Sequence, residues 1–301
     1  MKRLFIVYNP NSSQYIHVKS EILSQLTTIK GYLIGKCEIE KTSFEENVER
    51  ITKILKDGDF VIATGGDATA AITSNAIIKS KKDVTLSVLP YGNYNDLART
   101  LRTKTLSDAL NTKTVKKLYP LSIKIDGKLW RYATCYVTIG MTAEAVEIFD
   151  QPKIRKGLQK GHKSSWRSYI QLSRWYFKNR HKKDYIPEFK LNGKLMHKKI
   201  SDYAAMNGRS MARVMKGGED YLHPTEFRSE TERTISFPRL FILMTKSIFH
   251  RVPGSVTKAD TLEFVKPSSV ELQAEGEYKM FKDINKIEIT KPESYIKVIQ
   301  K

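Results

Sequence analysis

Short apolar runs alternate with helical spacing in the first third of the chain. Runs of strand length occur at residues 4–8, 32–39, 60–63 and 84–89. Between them, apolar residues recur every three or four positions, as in Val18, Ile22, Leu26 and Ile29, and again in Val48, Ile51, Ile54 and Leu55, which is typical of amphipathic helices. Strands that alternate with helices predict an α/β fold, a doubly wound, Rossmann-like parallel sheet over residues 1–120.

The pattern changes near residue 118. The stretch LYPLSIKIDGKLWRYATCYVTIG (residues 118–140) alternates apolar and polar positions around the hairpin signal IDGK, and similar alternation recurs in the last hundred residues. Such alternation is typical of antiparallel strands with one buried face. It predicts a β-rich second domain, an antiparallel β-sandwich, over residues 121–289. The tail, from about residue 290 to 301, is expected to return to the first domain.

Three polar turns follow strands of the predicted parallel sheet. They read YNPNSS (residues 8–13), TGGDAT (64–69) and LPYGNYNDLAR (89–99). Ligands of doubly wound folds bind at the carboxyl ends of the strands. Glycines before a helix let a phosphate approach bare backbone N–H groups. The turns therefore predict a phosphate-binding site, against the alternative of ordinary turn residues and helix N-caps.

Composition indicates a soluble, two-domain protein. The 301 residues are 40% hydrophobic, with a mean hydropathy of −0.42. No apolar run has the length of a membrane span, and LFIVY near the start is too short for a signal peptide. Two cysteines (Cys37 and Cys135) and six scattered histidines show no zinc-like spacing. We expect a protein of the reducing cytoplasm without structural zinc.

The chain is strongly basic, with 52 Lys and Arg against 32 Asp and Glu and a formal net charge of +20. This charge predicts attraction to nucleic acid, acidic lipid or phosphorylated molecules, or simply a solvated lysine-rich surface. Residues 151–183 carry eleven Lys or Arg and no Asp or Glu, with Trp166, Tyr169 and Trp175 among them. That mixture suits an anionic membrane surface. The aromatic face itself favours a helix docked on the protein, while the basic residues on its other side remain able to touch a membrane.

The turns resemble the motifs of a known family. NPNSS (residues 9–13) is similar to its Asn-Pro-x-Ser-Gly, GGDAT (65–69) to its Gly-Gly-Asp-Gly-Thr, and PYGNYNDLAR (90–99) to its Pro-x-Gly-Thr-x-Asn-Asp-Phe-Ala-Arg. AEGE (274–277) stands where the family has Asp-Gly-Glu. Four motifs in the expected order resemble the diacylglycerol kinase catalytic domain, which is shared with sphingosine kinases and bacterial lipid kinases and is distantly related to NAD kinases.

The resemblance implies ATP-dependent phosphoryl transfer to a lipid hydroxyl, with Mg²⁺, in a cleft between the domains. Diacylglycerol is the default acceptor. The acids expected near the metal and the reacting phosphate are Asp67 and Asp96. Residues implied to hold the nucleotide are Asn9, Ser12, Gly65, Gly66, Thr69, Gly92, Asn95 and Glu277.

Glu275 is the implied catalytic base, because it stands at the Asp of the family's Asp-Gly-Glu. Without the resemblance, EGE would read only as a hairpin turn. A further metal site of bacterial members corresponds to PTEFRSETERT, where Glu230 is the candidate ligand. The chain departs from the motifs at Ser13, Ala68, Asn93 and Glu275.

Two classes of function stay open at this point. The first is an active lipid kinase that visits the membrane from the cytoplasm. The second is a catalytically silent relative that binds nucleotide or lipid. An NAD kinase is less favoured, because the third turn and AEGE resemble the lipid branch. No nucleic-acid partner is expected, and a homodimer is possible.

Overall fold

The computed structural model describes residues 2–144, 174, 186–196, 200–211, 215–233 and 254–301. The basic segment 151–183, on which the prediction of membrane contact depends, lies outside the described residues apart from residue 174. No helix of the described residues is both long and apolar enough to cross a membrane.

In the part of the chain that the structure describes, the first sheet has six strands in the order β2-β1-β3-β4-β18-β5. All neighbouring pairs are parallel except β18 and β5. The strands are β1 (Lys2–Tyr8), β2 (Tyr32–Glu38), β3 (Phe60–Gly65), β4 (Thr85–Pro90), β5 (Val115–Leu118) and β18 (Ile296–Ile299). The predicted parallel sheet is confirmed, and the end of the chain supplies its β18.

Helices cover both faces of this sheet. Alternate residues of β1 enter different cores, with Leu4 and Ile6 on one side and Phe5 and Val7 on the other, because side chains of a strand point to opposite faces in turn. The helices are α1 (Tyr15–His17), α2 (Phe44–Ile54), α3 (Asp67–Ser80), α4 (Asp96–Leu101) and α5 (Leu106–Asn111).

The helix predicted around Val18–Ile29 is irregular. After α1 the chain continues as a π-helical turn (Val18–Ile22) and a 3₁₀ segment (Leu23–Thr28). The hydroxyl of Ser20 donates to the carbonyl of Ile16 at 3.1 Å, and that of Ser24 donates to the carbonyl of Ser20. Hydroxyls that bond back to the preceding turn bend and weaken helices. The apolar spacing identified the buried residues but not this irregularity.

The second sheet is antiparallel and has ten strands among the residues that the structure describes, so the predicted β-rich part is confirmed. Eight strands follow the order β15-β14-β11-β8-β16-β17-β6-β7, and β9 joins β10 to β16. Their bounds are β6 (Leu121–Ile125), β7 (Lys128–Ala133), β8 (Tyr136–Gly140), β9 (Phe189–Leu191), β10 (Lys194–Leu195), β11 (Ile200–Met206), β14 (Phe227–Arg233), β15 (Ser255–Thr257), β16 (Ala259–Ala274) and β17 (Glu277–Thr290). A separate small pair is β12 (Ser210–Met211) with β13 (Met215–Lys216). The domain boundary at residue 120 stays a prediction that this strand order supports.

Polar contacts join the two sheets. The side chain of Asn75 on α3 accepts the N–H of Tyr132 on β7 and donates to the carbonyl of Tyr132, both at 2.9 Å. Asn207, which follows β11, donates to the carbonyls of Tyr119 at 2.9 Å and Thr134 at 2.7 Å. These bonds place the segment between β7 and β8 beside α3.

Candidate active site

Asp67 ties the second turn to the third. This residue begins α3, directly after β3, and its carboxylate accepts the backbone N–H of Asn95 at 2.9 Å and that of Asp96 at 2.6 Å. Asn95 has a left-handed backbone conformation, with φ of 58°, which Asn tolerates better than most residues. The structure therefore brings the carboxylates of Asp67 and Asp96 to the same edge of the sheet.

The glycines of these turns allow their backbones to touch. A Cβ on Gly92 would lie 2.2 Å from the Cα of Gly66, a distance that no side chain can occupy. A Cβ on Gly65 would lie 2.4 Å from the hydroxyl oxygen of Thr69. Ala68 lies within α3 and has no positive φ, so its departure from the family's Gly introduces no backbone strain.

The first turn contacts the third. Ser13 donates its hydroxyl to the side-chain oxygen of Asn93 at 2.9 Å, and Gln14 donates to the carbonyl of Gly92 at 3.3 Å. Ser13 and Asn93 are two positions that depart from the family motifs, and here they bond to each other. Asn9 shapes the same turn by accepting the N–H of Asn11 at 2.8 Å.

Two hydroxyls of the turns are available to a ligand. The hydroxyl oxygens of Ser12 and Thr69 are buried and have no hydrogen-bond partner within the described residues. Buried polar atoms normally have partners. Phosphate oxygens would supply them, and the N-terminus of the 14-residue α3 favours an anion at the same place. These residues fit the phosphates of a nucleotide.

Glu275 lies at the tip of the β16–β17 hairpin and reaches across to the start of β8. It has φ of 52° and is followed by Gly276 with φ of 89°, the backbone of a two-residue turn that favours Asn-Gly. One of its carboxylate oxygens accepts the N–H of Thr134 at 2.6 Å, the N–H of Cys135 at 2.5 Å and the hydroxyl of Thr134. Glu275 is only 4% exposed. Few glutamates adopt this left-handed conformation. Sparsely populated backbone conformations of this kind cluster at functional sites.

The carboxylates act on one another. Burial, the charge of Asp96 and, less strongly, that of Glu275 raise the pKa of Asp67 above its ordinary value. Burial raises the pKa of Glu275 to about 7, against the lowering effect of the bonds from Thr134 and Cys135, and Asp96 adds to the rise. Repulsion between buried carboxylates is what a cation relieves. Asp67 keeps part of its surface open to solvent.

A metal ion here would need ligands beyond the protein. Within the residues that the structure describes, no three Asp, Glu, His or Cys side chains approach closely enough to enclose an ion. Mg²⁺ in nucleotide sites is commonly held by one or two carboxylates together with phosphate oxygens and water. Asp67 and Asp96 fit that pattern.

The other two predicted acids, Glu277 and Glu230, act on groups outside this pair. Glu277 begins β17, and its charge acts on the buried Arg131, whose guanidinium stacks on Phe44 at 4.0 Å and Trp130 at 4.1 Å. Glu230 lies on β14, where its charge contributes to the raised pKa of Asp202, which burial mainly causes. A metal role for Glu230 stays a prediction.

Sequence reasoning missed the side chains that hold the acids. Thr134 binds Glu275, and Ser210 on β12 donates its hydroxyl to Asp96 at 2.6 Å. Tyr136 is buried nearby, and burial together with the charges of Asp96 and Asp67 raises its pKa well above the ordinary value. No spacing marks these residues, since each meets its carboxylate only through the packing of distant strands.

Comparisons with known proteins agree with this geometry. Residues 3–123 match the family model of the diacylglycerol kinase catalytic domain. A diacylglycerol kinase of Bacillus subtilis (strain 168) is 32% identical over 105 residues, which make up 34% of this chain and 33% of the relative. The aligned stretch thus spans about a third of that diacylglycerol kinase.

Solved structures extend the likeness to the whole fold. The crystal structure of a diacylglycerol kinase from Bacillus anthracis str. Sterne matches with a TM-score of 0.65 and 11% identity, over 100% of this chain and 97% of the other. Two further structures from the same organism give TM-scores of 0.68 and 0.72 at 13% and 14% identity, over 98% and 97% of their chains. At such identities the likeness establishes the fold alone.

Proposed function

We propose that this chain is an ATP- and Mg²⁺-dependent lipid kinase that phosphorylates a lipid hydroxyl between the two sheets. The observation that carries the proposal is the meeting of Asp67 and Asp96 from the first sheet with Glu275 from the second. Asp67 accepts the N–H of Asp96. Cys135, whose N–H binds Glu275, has its sulfur 3.8 Å from the hydroxyl oxygen of Thr100 on α4, the helix that begins at Asp96. The diacylglycerol kinase domain over residues 3–123 supports the kinase class.

The nucleotide would be held by the three turns. Backbone N–H groups at Gly65 and Gly66 and the hydroxyls of Ser12 and Thr69 would bind phosphate oxygens. Asn9, Gly92 and Asn95 would fix the backbone around them, and Glu277 would border the pocket through Arg131. Mg²⁺, held by Asp67 and Asp96, would neutralise charge on the phosphates.

Glu275 would act on the acceptor. The carboxylate takes the proton of the lipid hydroxyl as the hydroxyl oxygen forms a bond to the γ-phosphorus. The bond from that phosphorus to the β–γ bridging oxygen breaks, and ADP leaves with the electron pair. A base works best when its pKa lies near the working pH, and burial brings the pKa of Glu275 to about 7. Its three donors fix the carboxylate in place.

A transfer assay with Asp67→Asn tests the metal role. We expect the unaltered chain to transfer label from ATP to a component of a lipid panel containing diacylglycerol, and the variant to lose about a hundredfold or more in rate, because a charge that stabilises the transferred group is gone. Asp283→Asn, at an exposed position of β17 with φ of 54°, is the matched control and should transfer normally.

The same assay separates the two classes of function. Nucleotide binding without transfer to any lipid of the panel would establish the silent relative instead. Transfer to NAD rather than to lipid would assign the NAD kinase class. Equal rates for Asp67→Asn and the unaltered chain would remove Asp67 from the mechanism.

We also propose a transient, peripheral contact of this cytoplasmic protein with anionic membrane. The net charge of +20 supports it, since each basic residue near an acidic bilayer contributes about 1 kcal/mol. Sedimentation with vesicles of anionic lipid should show binding that weakens severalfold between 0.1 M and 0.5 M salt, because salt shortens the screening length. Neutral vesicles are the control, and equal binding to both kinds would contradict the proposal. A homodimer stays a prediction.

A further inference from the structure

A short segment, residues 207–210, links the anchor of Glu275 to the helix that carries Asp96. The N–H groups of Asn207 and Gly208 donate to the carbonyl of Cys135 at 2.7 and 2.8 Å. The N–H of Cys135 is itself one of the donors to Glu275. A single residue, Cys135, therefore connects the linking segment to the proposed base, Glu275.

The next two residues attach to one face of α4. The N–H of Arg209 donates to the hydroxyl oxygen of Thr100 at 3.1 Å, and the hydroxyl of Ser210 donates to the carboxylate of Asp96 at 2.6 Å. Asp96 and Thr100 are four residues apart and so share a helix face. Consecutive residues of the linking segment thus bind consecutive turns of α4.

Glycine permits this close approach. A Cβ on Gly208 would lie 2.9 Å from the sulfur of Cys135 and 3.0 Å from the hydroxyl oxygen of Thr100. The segment is therefore packed between β8 and α4 without room for adjustment. Ser210 is 9% exposed and Asp96 is 1% exposed, so little water is available to replace the serine hydroxyl as a donor.

We infer that Ser210 is a positioning residue, whose hydroxyl fixes the orientation of the Asp96 carboxylate toward a divalent cation. The inference rests on the proposed function, which places Mg²⁺ at Asp67 and Asp96. Ser210 donates to one carboxylate oxygen of Asp96, and this bond fixes the plane of the carboxylate. Partners that orient a metal ligand typically contribute 10- to 100-fold in metal affinity or activity.

The linking segment also sets the distance between the proposed base, Glu275, and the proposed metal-binding acid, Asp96. Glu275 is anchored at Thr134 and Cys135, and Asp96 is anchored at Ser210, with only residues 207–210 between the anchors. The packed linking segment thus fixes the separation of the proposed base and the proposed metal-binding acid. Loss of the Ser210 hydroxyl would remove the bond to Asp96 and leave the bonds that anchor Glu275 intact.

The test compares Ser210→Ala with Ser210→Thr and the unaltered chain. Calorimetric titration with Mg²⁺·ATP at several Mg²⁺ concentrations gives the apparent Mg²⁺ constant without turnover. We expect Ser210→Ala to weaken it about tenfold or more and Ser210→Thr, which keeps a hydroxyl, to restore most of the affinity. ATP affinity measured without Mg²⁺ should be the same in all three proteins.

Ser268→Ala is the matched control. Ser268 is a similarly buried serine, 7% exposed, that donates to the carbonyl of Lys266 at 2.8 Å on β16. It should leave the Mg²⁺ constant unchanged. If Ser210→Ala does not fold, as judged by its circular dichroism, Ser210→Cys takes its place under the same criterion, since the thiol keeps the volume and donates only weakly.

The outcomes distinguish the inference from the function on which it rests. An unaltered Mg²⁺ constant in Ser210→Ala, with Mg²⁺·ATP bound by the unaltered chain, overturns the role of Ser210 and leaves the kinase proposal standing. Failure of the unaltered chain itself to bind Mg²⁺·ATP overturns the proposed function, and the role of Ser210 with it. A weakened constant that Ser210→Thr restores supports both.

Discussion

The Glu275→Gln variant is expected to lose about a thousandfold in the rate of phosphoryl transfer, since general base catalysis contributes roughly 10²- to 10⁴-fold. The amide oxygen of glutamine can still accept the N–H groups of Thr134 and Cys135, so the hairpin keeps its position. Single-turnover transfer and nucleotide affinity, measured on the same preparation, separate the two effects. The rate should fall because the base is lost. The affinity for ATP should change less than about threefold, because the variant keeps the residues proposed to hold the nucleotide.

The same variant is expected to be more stable than the unaltered chain, by a margin that grows with pH. Burial raises the folded pKa of Glu275 to about 7, above the usual range of an unfolded glutamate, about 4.3. The folded state therefore holds a proton that the unfolded state releases as pH rises from about 4 to 7, and this contribution to stability is lost over that window. Urea unfolding at pH 5 and pH 8 should show the larger advantage of glutamine at pH 8.

Glu263→Gln is the matched control for both measurements. Glu263 lies on the same strand, β16, and is exposed, so neither the rate nor the stability should change. Glu275→Asp is informative in addition, because it restores the family residue but withdraws the carboxylate by one methylene from its three donors. Undiminished transfer by Glu275→Gln would exclude Glu275 as the base.

The parts of the fold that depend on local pattern were predictable from the sequence. Strand-length apolar runs gave β1, β2, β3 and β4 to within two residues at either end, because the buried strands of a parallel sheet are nearly continuous apolar runs. Alternation around IDGK gave the antiparallel half. The irregular helix after α1 was not predictable from apolar spacing, since Ser20 and Ser24 alter the backbone through hydrogen bonds that spacing does not record.

The candidate site also has residues that the sequence predicts and residues that it does not. Its glycines and acids were found because the turns at strand ends are local sequence features, and the family resemblance then joined Glu275 to them. Thr134 and Ser210 were not found, because their roles come from contacts with Glu275 and Asp96 more than a hundred residues away. The bond between Ser13 and Asn93 was equally hidden. It shows that two departures from the motifs are compatible with each other.

The largest structural effect is expected from Gly92→Ala. The new methyl group would lie 2.2 Å from the Cα of Gly66, 2.9 Å from its backbone nitrogen and 3.0 Å from the side-chain oxygen of Asn95. Because the obstacle is backbone, the third turn must move away from the second. Overpacking of this kind costs about 1–3 kcal/mol in stability, and displacement by about 1 Å at a reacting site lowers rates by roughly a hundredfold.

Nucleotide binding reports this movement most directly. As the turns separate, Asp67 loses its bonds to the N–H groups of Asn95 and Asp96, and the two carboxylates could no longer share the proposed cation. We expect calorimetry to show at least a tenfold loss of affinity for Mg²⁺·ATP, on the order of the 1.4 kcal/mol that a tenfold change represents.

Gly127→Ala separates this effect from general backbone strain. Gly127 has φ of 79° in the β6–β7 turn and open space around it, so alanine there should cost about 1–2 kcal/mol in stability and leave nucleotide affinity unchanged. Normal affinity in Gly92→Ala, with unchanged stability, would mean that the two turns do not touch, and the shared phosphate and metal site would lose its structural basis.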